Sequence, residues 1–159
     1  MPRIEISTLI RAPAERCFWL ALSVDAHAVS ARHTGEQVVG GRTRGLLQLG
    51  DSVTFRARHF GVWQTLTSRV TDLQAPTYFR DQMQRGAFAR LEHAHYFEAT
   101  AAGTRMRDVL DYAAPLGPLG RLAEQLVLTR YLRRFLRRRA AELQQLAEGE
   151  GWRQFLPVG

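Results

Sequence analysis

The stretch FARLEHAHYFEATAAGTRMRDVLDY, Phe88 to Tyr112, decides the fold. Apolar and polar residues alternate on both sides of Ala101-Ala102-Gly103, the two-residue period of a strand with one buried face. The pattern predicts strands over Phe88–Ala99 and Thr104–Ala113, joined by a tight turn. One face carries Leu91, His93, His95 and Phe97, then Met106, Asp108, Leu110 and Tyr112 on the return strand. A turn at Ala101-Ala102 sets His95 opposite Asp108 and Phe97 opposite Met106. Alternate strand residues share a face, so His93 and His95 stand side by side, roughly 7 Å apart at Cα. Titratable groups among apolar ones mean either a satisfied polar patch in a core or the wall of a ligand pocket.

Working outward, Thr34 to Tyr112 reads as one antiparallel meander of about six strands. Glu36–Val39 is short and ends at Gly40-Gly41; Ser52–Phe60 and Val62–Leu73 flank a turn at Gly61; Tyr78–Met83 precedes the turn Gln84-Arg85-Gly86. Ahead of it, Arg3–Ile10 alternates Ile4, Ile6 and Ile10 against Arg3, Glu5 and Ser7. Ala12-Pro13-Ala14-Glu15 then opens a helix, with proline in the first turn and an acid at the positive end of the dipole. A second short helix, Asp25–Val29, has Ser23 as its cap.

After Pro115-Leu116-Gly117-Pro118 the chain turns helical from Leu119 to Leu146. Its second half presents Leu128, Leu132, Phe135, Leu136, Leu143 and Leu146 as one stripe. Leu119, Ala123, Leu126 and Val127 fall on nearly the opposite face. A straight helix cannot bury both stripes against one sheet, so a bend or break near Leu128–Arg130 is expected, or a first turn packed elsewhere. The fold class that follows is α+β: a curved antiparallel sheet of about seven strands wrapped around the long C-terminal helix, with two short helices after the first strand. Residues 1–148 form one domain, and 149–159 an extension without periodicity. A sheet propped away from its helix leaves a cavity between them.

At this point the sequence resembles the START-like helix-grip (SRPBCC) superfamily, which includes polyketide cyclases and pollen-allergen-like lipid carriers. It resembles most the bacterial branch labelled cyclase/dehydrase or cell-division-inhibitor-like. The likeness runs from IEISTLIRAPAERCFWL to RYLRRFLRRR, through TGE at Thr34–Glu36, FRDQM at Phe79–Met83, RGAF at Arg85–Phe88, HAHYF at His93–Phe97 and GTRMRDVLDYAAPLGPLG at Gly103–Gly120. It implies a pocket for a hydrophobic ligand; the superfold hosts carriers, cyclases and hydrolases alike, so it implies no reaction.

Composition narrows the classes. At 159 residues, 45% hydrophobic and 23% charged, the chain is an ordinary globular domain. It has no apolar run long enough to span a membrane and no signal-peptide layout at its start, so the cytoplasm is the expected compartment. The single cysteine, Cys17, excludes an intramolecular disulfide and reads as a buried thiol beside Phe18 and Leu20. All 22 basic residues are arginine. Seven of them lie between Arg121 and Arg139. The flank Arg130, Arg133, Arg134, Arg137 and Arg138 reads as a solvated helix face. Its sharper alternative is an interaction surface for an anionic membrane or an acidic partner, the membrane being favoured over nucleic acid because RNA binders interleave exposed aromatics with their charges.

The candidate ligand-binding set is His59, Asp81, Met83, His93, His95, Phe97, Met106, Asp108, Leu110, Tyr112, Leu132, Phe135 and Arg139. His95 with Asp108 is the candidate general acid–base pair, since a carboxylate fixes the tautomer and basicity of an imidazole. A buried network that pins strand register is the heavier alternative. His-x-His with a carboxylate can ligate zinc or iron, but the spacing alone does not select a metal site, and neither metal nor cofactor is expected. Arg139 interrupts the apolar stripe of the last helix. It is expected to snorkel, to pair with Asp81, Asp108 or Asp111, or to meet an anionic head group. Trp19 reads as core packing, with closure of a cavity mouth as the alternative.

Overall fold

A computed structural model describes residues 2–157. The first strand, β1 (Arg3–Ile10), leads into helices α1 (Ala14–Leu22) and α2 (Val24–Ser30). Pro13 sits at the N-cap of α1, where its missing N–H leaves no bond unmade. Ser23 ends α1 and caps α2, its Oγ accepting from the Ala26 N–H at 3.1 Å. The meander follows as β2 (Gln37–Gly41), β3 (Ser52–His59), β4 (Val62–Gln74), β5 (Tyr78–Arg85), β6 (Arg90–Thr100) and β7 (Gly103–Ala113). All seven strands form one antiparallel sheet in the order β1-β7-β6-β5-β4-β3-β2, so β1 closes onto the last strand of the meander.

The β6–β7 register agrees with the sequence reading: His95 pairs with Asp108 and Phe97 with Met106. The two-residue loop leaves no slack for a slip. Gly103 takes φ 138°, and a Cβ there would stand 2.2 Å from the Ile10 carbonyl, so this turn requires glycine. The first meander strand begins one residue later than expected, and Gly40-Gly41 lie within it across a bulge rather than ending it.

The C-terminal helix is bent as the two stripes require. Helix α3 (Gly117–Ala123) passes through a wide turn at Glu124–Leu128 into α4 (Thr129–Glu148). The break thus centres just before the expected Leu128–Arg130. Thr129 donates its N–H and its hydroxyl, at 2.8 Å for the latter, to the Glu124 carbonyl five residues back. Tyr112 Oη reaches the same hydroxyl at 2.5 Å. The Glu124 carboxylate, buried in the bend, accepts the Ala114 N–H at 2.6 Å. The bend frees α4 to bury Leu132, Leu136, Ala140 and Ala147 while Leu119, Leu126 and Val127 stay exposed.

The core has a closed end and an open end. At the closed end, near the β6–β7 turn, Phe18 meets Phe79 and Phe97 edge-on at centroid distances of 5.7 and 5.5 Å. Ile10, Cys17, Leu20, Met106 and Ala147 belong to the same cluster, all at most 2% exposed. Full burial of a phenylalanine such as Phe18 is worth about 2–3 kcal/mol. Trp19 packs edge-on against Phe18 as part of this cluster. The segment after Gly149 lies against it too, through Trp152, Phe155 and Leu156, with Arg16 stacked 4.2 Å over Trp152. The segment 149–159, expected as an extension, lies against the core as far as Leu156; Val158 and Gly159 lie outside the described residues.

Candidate functional site

At the other end of the sheet, where the β3–β4, β5–β6 and β7–α3 connections gather, the side chains shorten. Ala57, Ser68 and Ala87 stand where the closed end has phenylalanines, and a cavity of about 350 Å³ remains between sheet and α4. That volume lies in the range of small-molecule pockets. Phe55, Leu66, Phe79, Leu91, Leu110, Leu128, Leu132, Phe135 and Leu136 give it apolar walls. Phe60 and Tyr131 stand together at its edge, ring centroids 4.3 Å apart.

Two polar groups interrupt those walls. The first is on the sheet, where β5, β6 and β7 bring Asp81, His93, His95 and Asp108 together. Asp108 Oδ1 accepts from His95 Nδ1 at 2.8 Å, and the other ring nitrogen, Nε2, lies 3.3 Å from Asp81 Oδ2. Ser68 donates its hydroxyl to Asp81 Oδ1 at 2.6 Å. Phe79 stacks on the His95 ring at 4.2 Å and fixes its plane. His93 Nε2 lies 3.4 Å from Asp108 Oδ1, out of hydrogen-bond alignment, and has no hydrogen-bond partner although buried.

Burial alone pushes the Asp108 carboxyl up. The two imidazoles beside it, His93 and His95, outweigh that and hold the group far below the ordinary carboxylate range. Burial is outweighed at Asp81 as well, chiefly by the His95 bond, and its pKa falls to about 2. His95 is the mirror image: burial pulls it down, but bonds to Asp108 and Asp81 raise it above its ordinary value. His93 is lowered, by burial first and then by the neighbouring His95.

The second polar group joins α2, the segment before β2, and α4. Arg139 Nη2 donates to His27 Nδ1 at 2.5 Å, and His27 Nε2 stands 3.1 Å from Glu36 Oε1. Burial and the Arg139 charge both lower the His27 pKa. At Glu36, burial is outweighed by His27, and the carboxyl is held below its ordinary value. Arg139 therefore does not pair with Asp81, Asp108 or Asp111; its partner is a histidine on a helix. Its Nε is buried without a hydrogen-bond partner.

Of the thirteen candidate residues, His59, Asp81, His93, His95, Leu110, Leu132, Phe135 and Arg139 line the cavity. The other five share the inward face but not the depth. Phe97 and Met106 are packed under Phe18 at the closed end. Tyr112 is fully buried, its hydroxyl tied to Thr129. Asp108 stands behind His95 and, with Met106, borders a separate void of about 30 Å³. Met83 packs its sulfur on Gly86, where a Cβ would lie 2.7 Å from it. Sequence reasoning missed His27, Glu36, Ser68 and Tyr131 among the lining residues. His27 offered no signal in its short helix, whereas Glu36 in the TGE motif and Ser68 two residues beyond Leu66 on its face could have been found. Tyr131 Oη lies 2.5 Å from Nδ1 of His59.

The fold is shared with solved structures at low sequence identity. TTHA0849 from Thermus thermophilus matches with a TM-score of 0.71 and 19% identity, over 91% of this chain and 95% of that one. Protein CV1439 from Chromobacterium violaceum matches at 0.72 and 14%, over 94% and 99%. Ginseng major latex-like protein 151 from Panax ginseng matches at 0.68 and 12%, over 92% and 97%. These likenesses show the fold alone, a helix-grip arrangement of a seven-stranded antiparallel sheet with a long C-terminal helix. No protein-family model matches the chain, and no curated protein matches it in sequence.

Proposed function

We propose that the protein binds or carries a hydrophobic small molecule, such as a lipid, an aromatic or a polyketide-like compound, in the cavity between sheet and α4. The observation that carries this reading is the 350 Å³ space itself, apolar on most of its wall, in a chain whose other end is packed shut. The two polar groups suit a ligand with hydrogen-bonding atoms at one or both ends, and Arg139, with an unused Nε, suits an acidic one. Membership in the bacterial cyclase/dehydrase-like branch belongs to the same proposal.

A cyclase or dehydratase using His95 and Asp108 is less well supported. Both ring nitrogens of His95 face carboxylates, and Asp108 is screened from the cavity, so the pair presents no free group to a substrate. Native mass spectrometry of freshly purified protein tests the carrier reading: one equivalent of a co-purifying apolar molecule is expected. Its absence, together with no displacement of an apolar dye by fatty acids or polycyclic aromatics, would contradict it.

A second reading, contact with an anionic membrane surface, is favoured by one observation. Leu116, Leu119, Leu122, Leu126 and Val127 are all more than half exposed, beside the exposed Arg121 and Arg130. Apolar side chains flanked by arginines, next to the opening of a cavity, suit a lipid surface. Arg133, Arg134 and Arg137 extend the charge along α4. Wild-type protein should sediment with anionic liposomes, and Leu119→Glu/Leu126→Glu should not; equal sedimentation would remove this reading.

A further inference from the structure

The geometry points to a binding site for one divalent transition metal ion, of the zinc or iron class, held by Asp81, His93 and His95 in the wall of the cavity. One donor atom from each of these residues lies within 4.8 Å of the other two. His95 Nε2 and Asp81 Oδ2 are 3.3 Å apart. Two donors bonded to one ion at about 2.0–2.2 Å in tetrahedral geometry stand about 3.4 Å from each other, so this pair already has the required spacing.

The orientation of the ring argues the same way. Asp108 takes the proton on His95 Nδ1 and so turns Nε2 toward Asp81 Oδ2, where both atoms can bind one ion. Asp108 itself does not reach the cavity; it stands behind His95 as the carboxylate that orients a metal-bound imidazole. Ser68 does the same for Asp81, holding Oδ1 and leaving Oδ2 for the ion. His93 supplies the independent observation. It is 8% exposed and lines the cavity, and its Nε2, 3.4 Å from Asp108 Oδ1, makes no aligned hydrogen bond. A buried ring nitrogen without an aligned donor or acceptor keeps its capacity to bind an ion.

A divalent ion with both imidazoles neutral brings the charge of Asp81, His93, His95 and Asp108 to zero, as a low-dielectric wall requires. Three protein ligands leave an open position toward the cavity, where an oxygen atom of a bound molecule could complete the shell. The site stands whether or not that molecule is apolar, so its test is separate from the carrier's.

The test uses the full chain after chelator treatment. Co²⁺ titration read by its visible absorption should saturate at one ion per chain, and Zn²⁺ should displace it. Asp81→Asn and His93→Gln should each weaken binding by at least about 10-fold, and Asp108→Asn by about 10–100-fold, the range for an outer-shell partner. His33→Ala, an exposed histidine outside the site, should bind like wild type. Failure of the wild type to reach one ion per chain would overturn the proposal, as would unchanged affinity in both ligand variants. Should those variants not fold, X-ray absorption of the wild-type zinc complex decides: two imidazoles with oxygen support the site, and a shell without two imidazoles overturns it.

Discussion

The two ends of the space between sheet and helix use the same pattern to opposite effect. At the closed end Phe18 on α1 drops between Phe79, Phe97 and Met106, and only a void of about 30 Å³ is left over. At the open end the same inward positions of β3 and β4 carry Ala57, Gln64, Leu66 and Ser68, and about 350 Å³ remains. Periodicity says which face is inward; it does not say how much of the interior is filled. That is set by side-chain volume at each level of the sheet and by what the short helices insert.

If this contrast is right, truncation should hurt far more at one end than at the other. Phe18→Ala should cost about 3–5 kcal/mol in denaturant unfolding, since it empties a packed site. Phe135→Ala, on the cavity wall, should cost less than about 2 kcal/mol because its removal enlarges an existing space. Equal losses would mean that the ends are packed alike. Enlargement should give the reverse contrast. Ala147→Phe, at a fully buried position of the closed end, should cost about 1–3 kcal/mol, whereas Ala57→Phe should be nearly neutral.

The polar wall has its own pH signature in metal-free protein. A carboxyl with a depressed folded pKa contributes stability that is present above its unfolded value and lost as pH falls through the folded one. Asp81, lowered from 3.8 to about 2, should therefore give an acid limb on the order of 2 kcal/mol between about pH 4 and pH 2. Asp108 acts in the same direction. Asp81→Asn should flatten that limb; an unchanged limb would remove Asp81 as its source. His95 has the opposite sign: raised in the folded state, it contributes fully below about pH 6.5 and loses that contribution as pH rises through its folded value. The smallest effect is Tyr112→Phe, which frees Thr129 at the helix bend and should cost about 1 kcal/mol.

Most of the fold was legible because local rules over-determined it. The two-residue loop at Ala101-Ala102 set the register of His95 and Asp108, and the opposed stripes of Leu119–Val127 and Leu128–Leu146 required a bend. The site was legible only as a face. Phe97, Met106, Asp108 and Tyr112 alternate correctly with His93 and His95, yet depth along a strand depends on what α1 and α4 place above each residue. Arg139 was recognisable as an anomaly, but its partner was not. His27 lies 112 positions away on a short helix whose packing no periodicity encodes. Asp81 joined the histidines through a β5–β6 register that the Arg85-Gly86 turn left open in sequence.

The central claim is that the open end is a binding cavity rather than a loosely drawn core. Titration of the full chain with an apolar fluorescent probe, 1-anilinonaphthalene-8-sulfonate, tests it most directly when wild type and Ala57→Phe are compared. One saturable site in wild type, weakened by about 10-fold or more in a folded Ala57→Phe, is the predicted result; the range reflects the several kcal/mol at stake when a bound ring loses its pocket. No saturable binding to wild type, or equal affinity in the two proteins, would contradict it.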